Sequence, residues 1–578
     1  MNIMLILQVI VLLGAIFIGI RLGGMAIGYA GGAGVVVLCL ILGMKPGDIP
    51  WDVILIIMSV IAAIAAMQLA GGLDYMIQVA ERILRKNPKY INYLAPTVTY
   101  FLTFLAGTGH TAFSMIPVIV EVAKEQNIKP SAPLSIAVVA SQIAITASPV
   151  SAAVVYMTGV LEPFGWSYPA LLLIWLVTTF SACMLTAFIV SKFFPLTLNK
   201  DLIYQERLAK GFVKAPMGAS NIQLKKGAKL SVGIFLIGVF LVVIYATSIS
   251  DIVRKPMLNG VNKFIPVYMD KEIDTIKKDA LNIIKLDDKK LLEDIQNKIS
   301  APLDEAKKVF LDSKDTFKKD SSLILNYKQT LDAARVKISS LNLGDETKEA
   351  IFHIEFNLND LSANSESIIT NWIKKDGFVA EVASIIKSYI DPIRLPRDGA
   401  IISFMLAIAT FIAIFCKIET SKLFEASTFK AGMTACVCVL GVAWLGNTFV
   451  GGYKTQIGNL ASSLVSDYPA LLAVALFFAS MLLYSQAATA KAIMPVVIAA
   501  LGINAVNPSD SYIIVASFAA VSALFVLPTY PTLLGAVQMD DTGSTRIGKY
   551  VFNHSFILPG IIAIVLSVAL GFLVASFF

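Results

Sequence analysis

The sequence predicts an all-α polytopic membrane protein of two inverted-topology repeats, with a helical domain inserted into the second. Three observations predict it: a membrane-like composition, recurrent apolar runs of spanning length, and interrupted segments that recur at matched spacing. Of 578 residues, 56% are hydrophobic and 15% charged, and the mean hydropathy is +0.74. Soluble domains are about 45–50% apolar and about 25% charged. Such a composition excludes a disordered, collagen-like or disulfide-stapled chain.

Apolar runs come at Ile3–Ile20, Met25–Met44, Val53–Ala70, Pro169–Val190, Leu230–Thr247, Ala400–Cys416, Ala431–Phe449 and Ile557–Phe577. Each can cross a hydrocarbon core about 30 Å thick. The first run lacks a basic flank and a small-residue cleavage site, so it reads as a retained span. Basic loops then set the orientation. They carry Arg82, Arg85, Lys86 and Lys89; Lys124 and Lys129; Arg207, Lys210, Lys214, Lys225 and Lys226; Lys417, Lys422 and Lys430; and Arg546 with Lys549. All can be cytoplasmic only if Leu94–Val122 and Ala470–Ala500 are re-entrant hairpins.

Each hairpin has a small, polar tip: Gly107-Thr108-Gly109-His110-Thr111 and Ser485-Gln486-Ala487-Ala488-Thr489. Two further apolar segments are broken by Ser148-Pro149-Val150-Ser151 and Pro528-Thr529-Tyr530-Pro531. Proline removes a backbone donor, and broken backbone at membrane depth survives only where it is buried or lines a cavity. Gly71-Gly72 precedes Pro117 by 46 residues and Pro149 by 78, while Gly451-Gly452 precedes Pro495 by 44 and Pro531 by 80. Recurrence in that order, from opposite sides, is the mark of inverted repeats. The expected count is ten spans plus two hairpins, with both termini periplasmic. Residues 1–229 are the first repeat and a cytoplasmic loop, 230–249 the span opening the second, 250–398 the inserted periplasmic domain and 399–578 the remainder.

From Asp251 to Asp398 the chain has 24 Lys/Arg against 25 Asp/Glu, and elsewhere 23 against 15. The surplus positive charge therefore belongs to the membrane part and reads as orientation, not as a nucleic-acid surface. Ile273, Ile276, Ala280 and Ile283, then Ile324, Tyr327, Leu331, Ala334 and Ile338, keep helical period. Ser300 before Pro302, and Gly344-Asp345, read as helix starts. A small bundle of amphipathic helices, serving packing or shielding, is expected.

Half-helices that begin at mid-membrane present free N–H groups and a positive dipole end, which suit carboxylates. The candidate binding set lies at the four breaks: Thr108, Gly109, His110 and Thr111; Ser148, Pro149, Val150 and Ser151; Gln486, Thr489 and Lys491; Thr529 and Tyr530. Lys491 stands inside an apolar hairpin, where a lysine costs roughly 3 kcal/mol. It is expected to face an anionic solute, against the alternatives of snorkelling or an acid partner. Asn447 and Trp444 are candidate path-lining residues. Gly24, Gly28 and Gly32 read as helix packing. Gly543 to Lys549 imitates a phosphate loop, but Tyr550 stands where the magnesium-binding hydroxyl belongs. No metal, cofactor or enzymatic chemistry is expected.

Several strings are familiar: Gly-Gly-Leu-Asp (71–74), Arg-Lys-Asn-Pro-Lys-Tyr (85–90), Gly-Thr-Gly-His (107–110) and Ala-Ser-Pro-Val-Ser (147–151). So are Ala-Trp-Leu-Gly-Asn-Thr-Phe (443–449), Tyr-Ser-Gln-Ala-Ala-Thr-Ala-Lys-Ala (484–492), Leu-Pro-Thr-Tyr-Pro-Thr (527–532) and Gln-Met-Asp-Asp-Thr-Gly (538–543). Together they resemble the anaerobic C4-dicarboxylate (Dcu) transporters, A-type branch. The resemblance implies a bacterial inner-membrane carrier of aspartate, malate, fumarate and succinate, working by exchange in anaerobic metabolism. It also implies a short loop where this chain has its helical insert, and commonly an acid where Asn447 stands. Expected partners are the dicarboxylates and the lipid bilayer; a homodimer stays open. A membrane-embedded dicarboxylate sensor is the alternative from another class.

Overall fold

The computed structural model describes residues 3–22, 25–194, 196–214, 223–284, 289–320, 323–341, 347–453, 456, 468–483, 485–501, 503, 506, 508–527, 530–545 and 554–577. Helix dominates, and the described residues hold no β-strand, only isolated bridge residues such as the pair Ile128 and Thr197. The chain divides into two units, Met1–Asp251 with Leu395–Phe578, and Ile252–Arg394.

In the first unit, α1 (Ile3–Leu22), α2 (Ala26–Val36, extended by a π-turn to Ile41) and α3 (Trp51–Leu69) lead to α4 (Gly72–Lys86). The last is unlike its neighbours: Leu73, Ala80 and Leu84 are buried while Arg82 and Lys86 are exposed. One apolar and one basic face suit a helix lying in the membrane interface rather than crossing it. The first hairpin follows, α5 (Ile91–Ala106) returning through a 3₁₀ segment, Gly109–Met115, into α6 (Ile116–Glu125). The broken segment α7 (Ser131–Ala144) and α8 (Ala152–Leu161), then α9 (Tyr168–Phe193) and the short α10 (Leu202–Ala209), complete this half.

The first unit continues with α11 (Ala228–Ser248), α18 (Arg397–Cys416), and α19 (Ser427–Cys438) joined through the π-turn Val439–Ala443 to α20 (Trp444–Gly452). The hairpin α21 (Leu471–Leu483) and α22 (Gln486–Ala500) precedes the broken α23 (Ser511–Ser517, continued as 3₁₀ to Phe525) and α24 (Pro531–Met539). Helix α25 (Ile557–Ala575) ends the chain. Seven of the described helical stretches are long and apolar enough to cross a membrane, and the window within Ser131–Phe164 is wholly buried in protein. A segment shielded on all sides can afford a broken backbone.

The basic loops are bound to one another. Arg85 pairs with Glu125 at 2.6 Å, Lys124 with Asp541 at 3.0 Å, and the Arg207 Nε–H donates to the Asp541 carbonyl at 2.8 Å. Lys225 donates to the Leu69 carbonyl, and Thr428 Oγ1 to Gln68 Oε1. A second set of loops meets at Glu162. Its Oε1 accepts from Ser250 Oγ at 2.6 Å and from Arg397 Nη2 at 2.8 Å, and its Oε2 from Arg397 Nη1 at 3.2 Å. The packing glycines are partly those expected. A Cβ on Gly28 would meet the Val437 carbonyl at 2.2 Å, whereas one on Gly32 meets nothing within 4 Å; Gly24 lies outside the described residues.

The second unit holds α12 (Asp251–Asn262), α13 (Met269–Ile283), α14 (Lys289–Lys319), α15 (Leu323–Ser339), α16 (Lys348–Lys375) and α17 (Phe378–Ile390). Its own core gathers Ile273, Ile276, Ala280, Ile324, Tyr327, Leu331, Ala334 and Ile338 with Phe310 and Trp372. The helix start expected at Ser300–Pro302 is absent: α14 runs through Pro302. Ile295, Ile299, Leu303, Ala306 and Phe310 are all buried on one stripe across it, so packing outweighs one missing backbone donor. Gly344 and Asp345 lie outside the described residues, just before α16.

Candidate functional site

Three interrupted elements begin a helix on the same space. In the α7–α8 break Ser148 (φ −75°, ψ 128°) and Ser151 (φ −79°, ψ 133°) are extended, and Ser151 Oγ accepts from the Val154 N–H at 3.4 Å to start α8. In the second hairpin Ser485 plays that part, its Oγ accepting from the Ala488 N–H at 3.3 Å. Tyr530, extended at φ −72°, starts α24. The two serine caps follow from sequence: a hydroxyl one residue ahead of an apolar helical run satisfies a free donor.

A small cavity of about 80 Å³ lies where these starts converge. It is lined by Gly107 and Thr108, by Val150 to Ala153, by Ser485 to Ala487, and by Tyr530. Ile56, Ile57, Val60 and Ile61 of α3, with Ile145 and Val439, form its apolar wall. Gly107 has to be glycine: its φ is +68° and a Cβ there would sit 2.9 Å from Val150 Cγ2. The hairpin tip is thereby laid directly on the α7–α8 break. Apolar walls with a few convergent polar groups are the usual form of a small-molecule site.

Of the residues named from sequence, Thr108, Val150, Ser151, Gln486 and Tyr530 line this cavity. Gly109 lies beside it, against the Gln142 side chain, and Ser148 is fully buried with its hydroxyl unpaired. Pro149 turns its carbonyl away, to the Tyr168 hydroxyl at 3.0 Å. For His110 and Thr111 the structure describes the backbone, in the 3₁₀ segment after the tip; Thr529 lies outside the described residues. Thr489 is not at the cavity. It is fully buried one turn beyond the tip, and its hydroxyl donates to the Ser485 carbonyl at 2.8 Å. Asn447 also stands apart, donating to the Asp48 carbonyl at 2.9 Å, while Trp444 Nε1 donates to the Gly47 carbonyl. Both hold the α2–α3 connection.

Lys491 has an acid partner. Its ammonium pairs with the Asp52 carboxylate in the first turn of α3, and lies 5.4 Å from the centre of the Tyr156 ring. It stands one turn past Ala487 rather than on the wall itself.

Three contributors escaped sequence reasoning. Gln142, fully buried in α7, donates to Thr532 Oγ1 at 3.4 Å, and its carbonyl accepts from Gln486 Nε2 at 3.2 Å, so it joins both broken segments and the second hairpin. A lone glutamine within the apolar stretch Ile136–Ile145 was the available signal. Tyr168 and His554 each meet a carbonyl separately: the first donates to Pro149, and His554 Nε2 lies 2.9 Å from the Val526 carbonyl beside the other break. Each thus supports carbonyls that the breaks release. Tyr168→Phe should leave the Pro149 carbonyl unpaired in a buried setting, costing about 1–3 kcal/mol. A lower melting temperature of the purified protein is the expected readout, and an unchanged one would show that another donor takes the place.

A family model described as anaerobic C4-dicarboxylate membrane transporter matches residues 4–298 and 362–578, leaving 299–361 of the second unit unmatched. The C4-dicarboxylate transporter DcuA of Wolinella succinogenes is 50% identical over an alignment covering 99% of each chain, so this relative carries the second unit too and the short loop expected there is corrected. Its namesake from Helicobacter pylori J99 is 49% identical, covering 98% of each, and that of Escherichia coli K12 is 42% identical, covering 99% and 100%. The Escherichia coli DcuB chain is more distant, at 29%. No solved structure matches. By a family match across both halves and near half identity to A-type chains, this chain belongs to the anaerobic C4-dicarboxylate membrane transporters, in their A-type branch.

Proposed function

We propose that the protein exchanges C4-dicarboxylates, among them aspartate, malate, fumarate and succinate, across the bacterial inner membrane by alternating access. The observation that carries this is the convergence of three helix N-termini, at Ala152, Gln486 and Pro531, on one cavity. Each such end carries roughly half a positive charge and free N–H donors. Oriented hydroxyls of Thr108, Ser151 and Ser485 accompany them. A dianion leaving water needs both partial charge and donors in fixed places, and the apolar wall of α3 suits its short hydrocarbon body.

In this reading α5–α6 and α21–α22 dip into the bilayer and return, and the other apolar elements make ten spans in two inverted repeats. The mutual contacts of the basic loops support placing them on one side, the cytoplasm. Both termini and the domain at 250–398 then face the periplasm. Counterflow tests the function: proteoliposomes loaded with unlabelled malate should accumulate labelled aspartate, succinate and fumarate. Absence of flux for every C4 acid in correctly inserted protein would overturn the proposal, and flux would also set aside a pure sensor.

The second unit has its own core and none of the cavity residues. Replacing Val253–Ile393 with a short Gly/Ser linker should therefore preserve insertion and exchange to within about twofold, since long surface loops trade length at small cost. Loss of exchange in a well-inserted deletion would show that the domain takes part in transport. The cut spares Arg397, whose guanidinium grips Glu162.

A further inference from the structure

Lys491 is one turn past Ala487 on α22, Tyr156 one turn past Ala152 on α8, and Asp52 one turn before Ile56 on α3; Ala487, Ala152 and Ile56 all line the cavity. Side chains four residues apart on a helix share a face, so three walls carry these residues out from the cavity to one common point. There the Lys491 ammonium is paired with Asp52 and covered by the Tyr156 ring. A helical Cα–Cβ bond leans toward its own N-terminus. The Lys491 stem therefore leans back toward Ala487 and the cavity, while its head is held by Asp52.

We propose that Asp52 is the internal counter-ion of the solute site: it holds Lys491 while the cavity is empty, and gives it up to a carboxylate of the bound dicarboxylate. This rests on the transport reading given above. Burial is uneven across the pair, the Asp52 side chain being 43% exposed and that of Lys491 19%. Asp52 can be rehydrated when released, whereas Lys491 needs an anion in either state, so an exchange of partners leaves no charge stranded. The pair also ties α22 to α3, and both line the cavity, so solute binding and the freedom of the second hairpin become linked. Asp52 acts through Lys491 and is a positioning residue.

A competitor for the binding group weakens apparent affinity by the fraction of sites it holds. Asp52→Asn should therefore lower the half-saturating succinate concentration in counterflow by roughly tenfold, while Asp52→Glu keeps the wild-type value. In a Lys491→Gln background Asp52→Asn should change nothing further. A raised or unchanged constant in Asp52→Asn, with wild-type exchange normal, overturns the counter-ion role and leaves the transport reading intact; absence of exchange in the wild type strikes the transport reading itself.

Discussion

Lys491→Gln is expected to raise the half-saturating dicarboxylate concentration roughly 10- to 150-fold, with insertion unchanged. That range is what losing a charged hydrogen-bond partner worth about 1.5–3 kcal/mol represents. The reasoning is electrostatic. Three helix ends supply partial charges to the cavity, and a dianion carries two full ones, so one mobile ammonium within a turn of the wall supplies much of the remainder. Lys491→Arg should restore part of the loss, because a planar fork spreads its charge and needs a different approach than a compact ammonium. Saturation curves for exchange in proteoliposomes check both variants. Unaltered affinity and rate in Lys491→Gln would mean that the lysine serves only to hold Asp52 and α3.

Gly441→Val should prevent assembly of the first unit. A Cβ on Gly441 would sit 1.9 Å from the Gly28 carbonyl oxygen, and one on Gly31 2.5 Å from the Gly441 carbonyl carbon. At this crossing α2 and the π-turn meet backbone to backbone, so no side chain can yield. Ordinary overpacking costs about 1–3 kcal/mol because side chains shift aside; here a whole helix must move, and the cost should exceed that range. Loss of the monodisperse peak in size-exclusion chromatography of detergent extracts is the expected readout. Gly32→Ala is the control. Its Cβ meets nothing within 4 Å, and removing a helical glycine should be neutral or stabilise by about 0.5–1 kcal/mol. A Gly441→Val protein that elutes like the wild type would show that the crossing can open.

The cavity was legible in the sequence where backbone chemistry writes itself locally. Pro149, Pro531 and the Gly107 tip stand where apolar runs carry small or polar neighbours and no continuous buried stripe to override them, so their presence already pointed to breaks in the helices. Residues that work by tertiary position were not legible. Asp52 opens a span, where an acid in the first turn is ordinary and reads as dipole complement; its partner lies 439 residues away. Gln142 carried no proline or glycine beside it to mark a break. The local pattern could not show that the Thr489 hydroxyl bonds its own preceding turn rather than opening to the cavity, as a threonine in a membrane helix can. At Pro302 a local rule lost to a continuous buried stripe. Local signals thus marked the breaks around the cavity, and only packing could say which polar groups hold those breaks together.

One carboxylate oxygen, Glu162 Oε1, accepts from both Ser250 and Arg397, and the chain leaves the first unit at Asp251 and rejoins it at Leu395. The two ends of a 143-residue excursion, Ile252–Arg394, are therefore moored to a single post. Once the ends of a loop are fixed near each other, each doubling of its length adds only about 0.6 kcal/mol of closure entropy. The membrane unit is then nearly indifferent to what hangs between those moorings, which makes the position a socket for exchangeable cargo. A fluorescent protein or a binding module with neighbouring termini could be seated there, and Glu162→Gln, by loosening the socket, should make every such graft harder to carry.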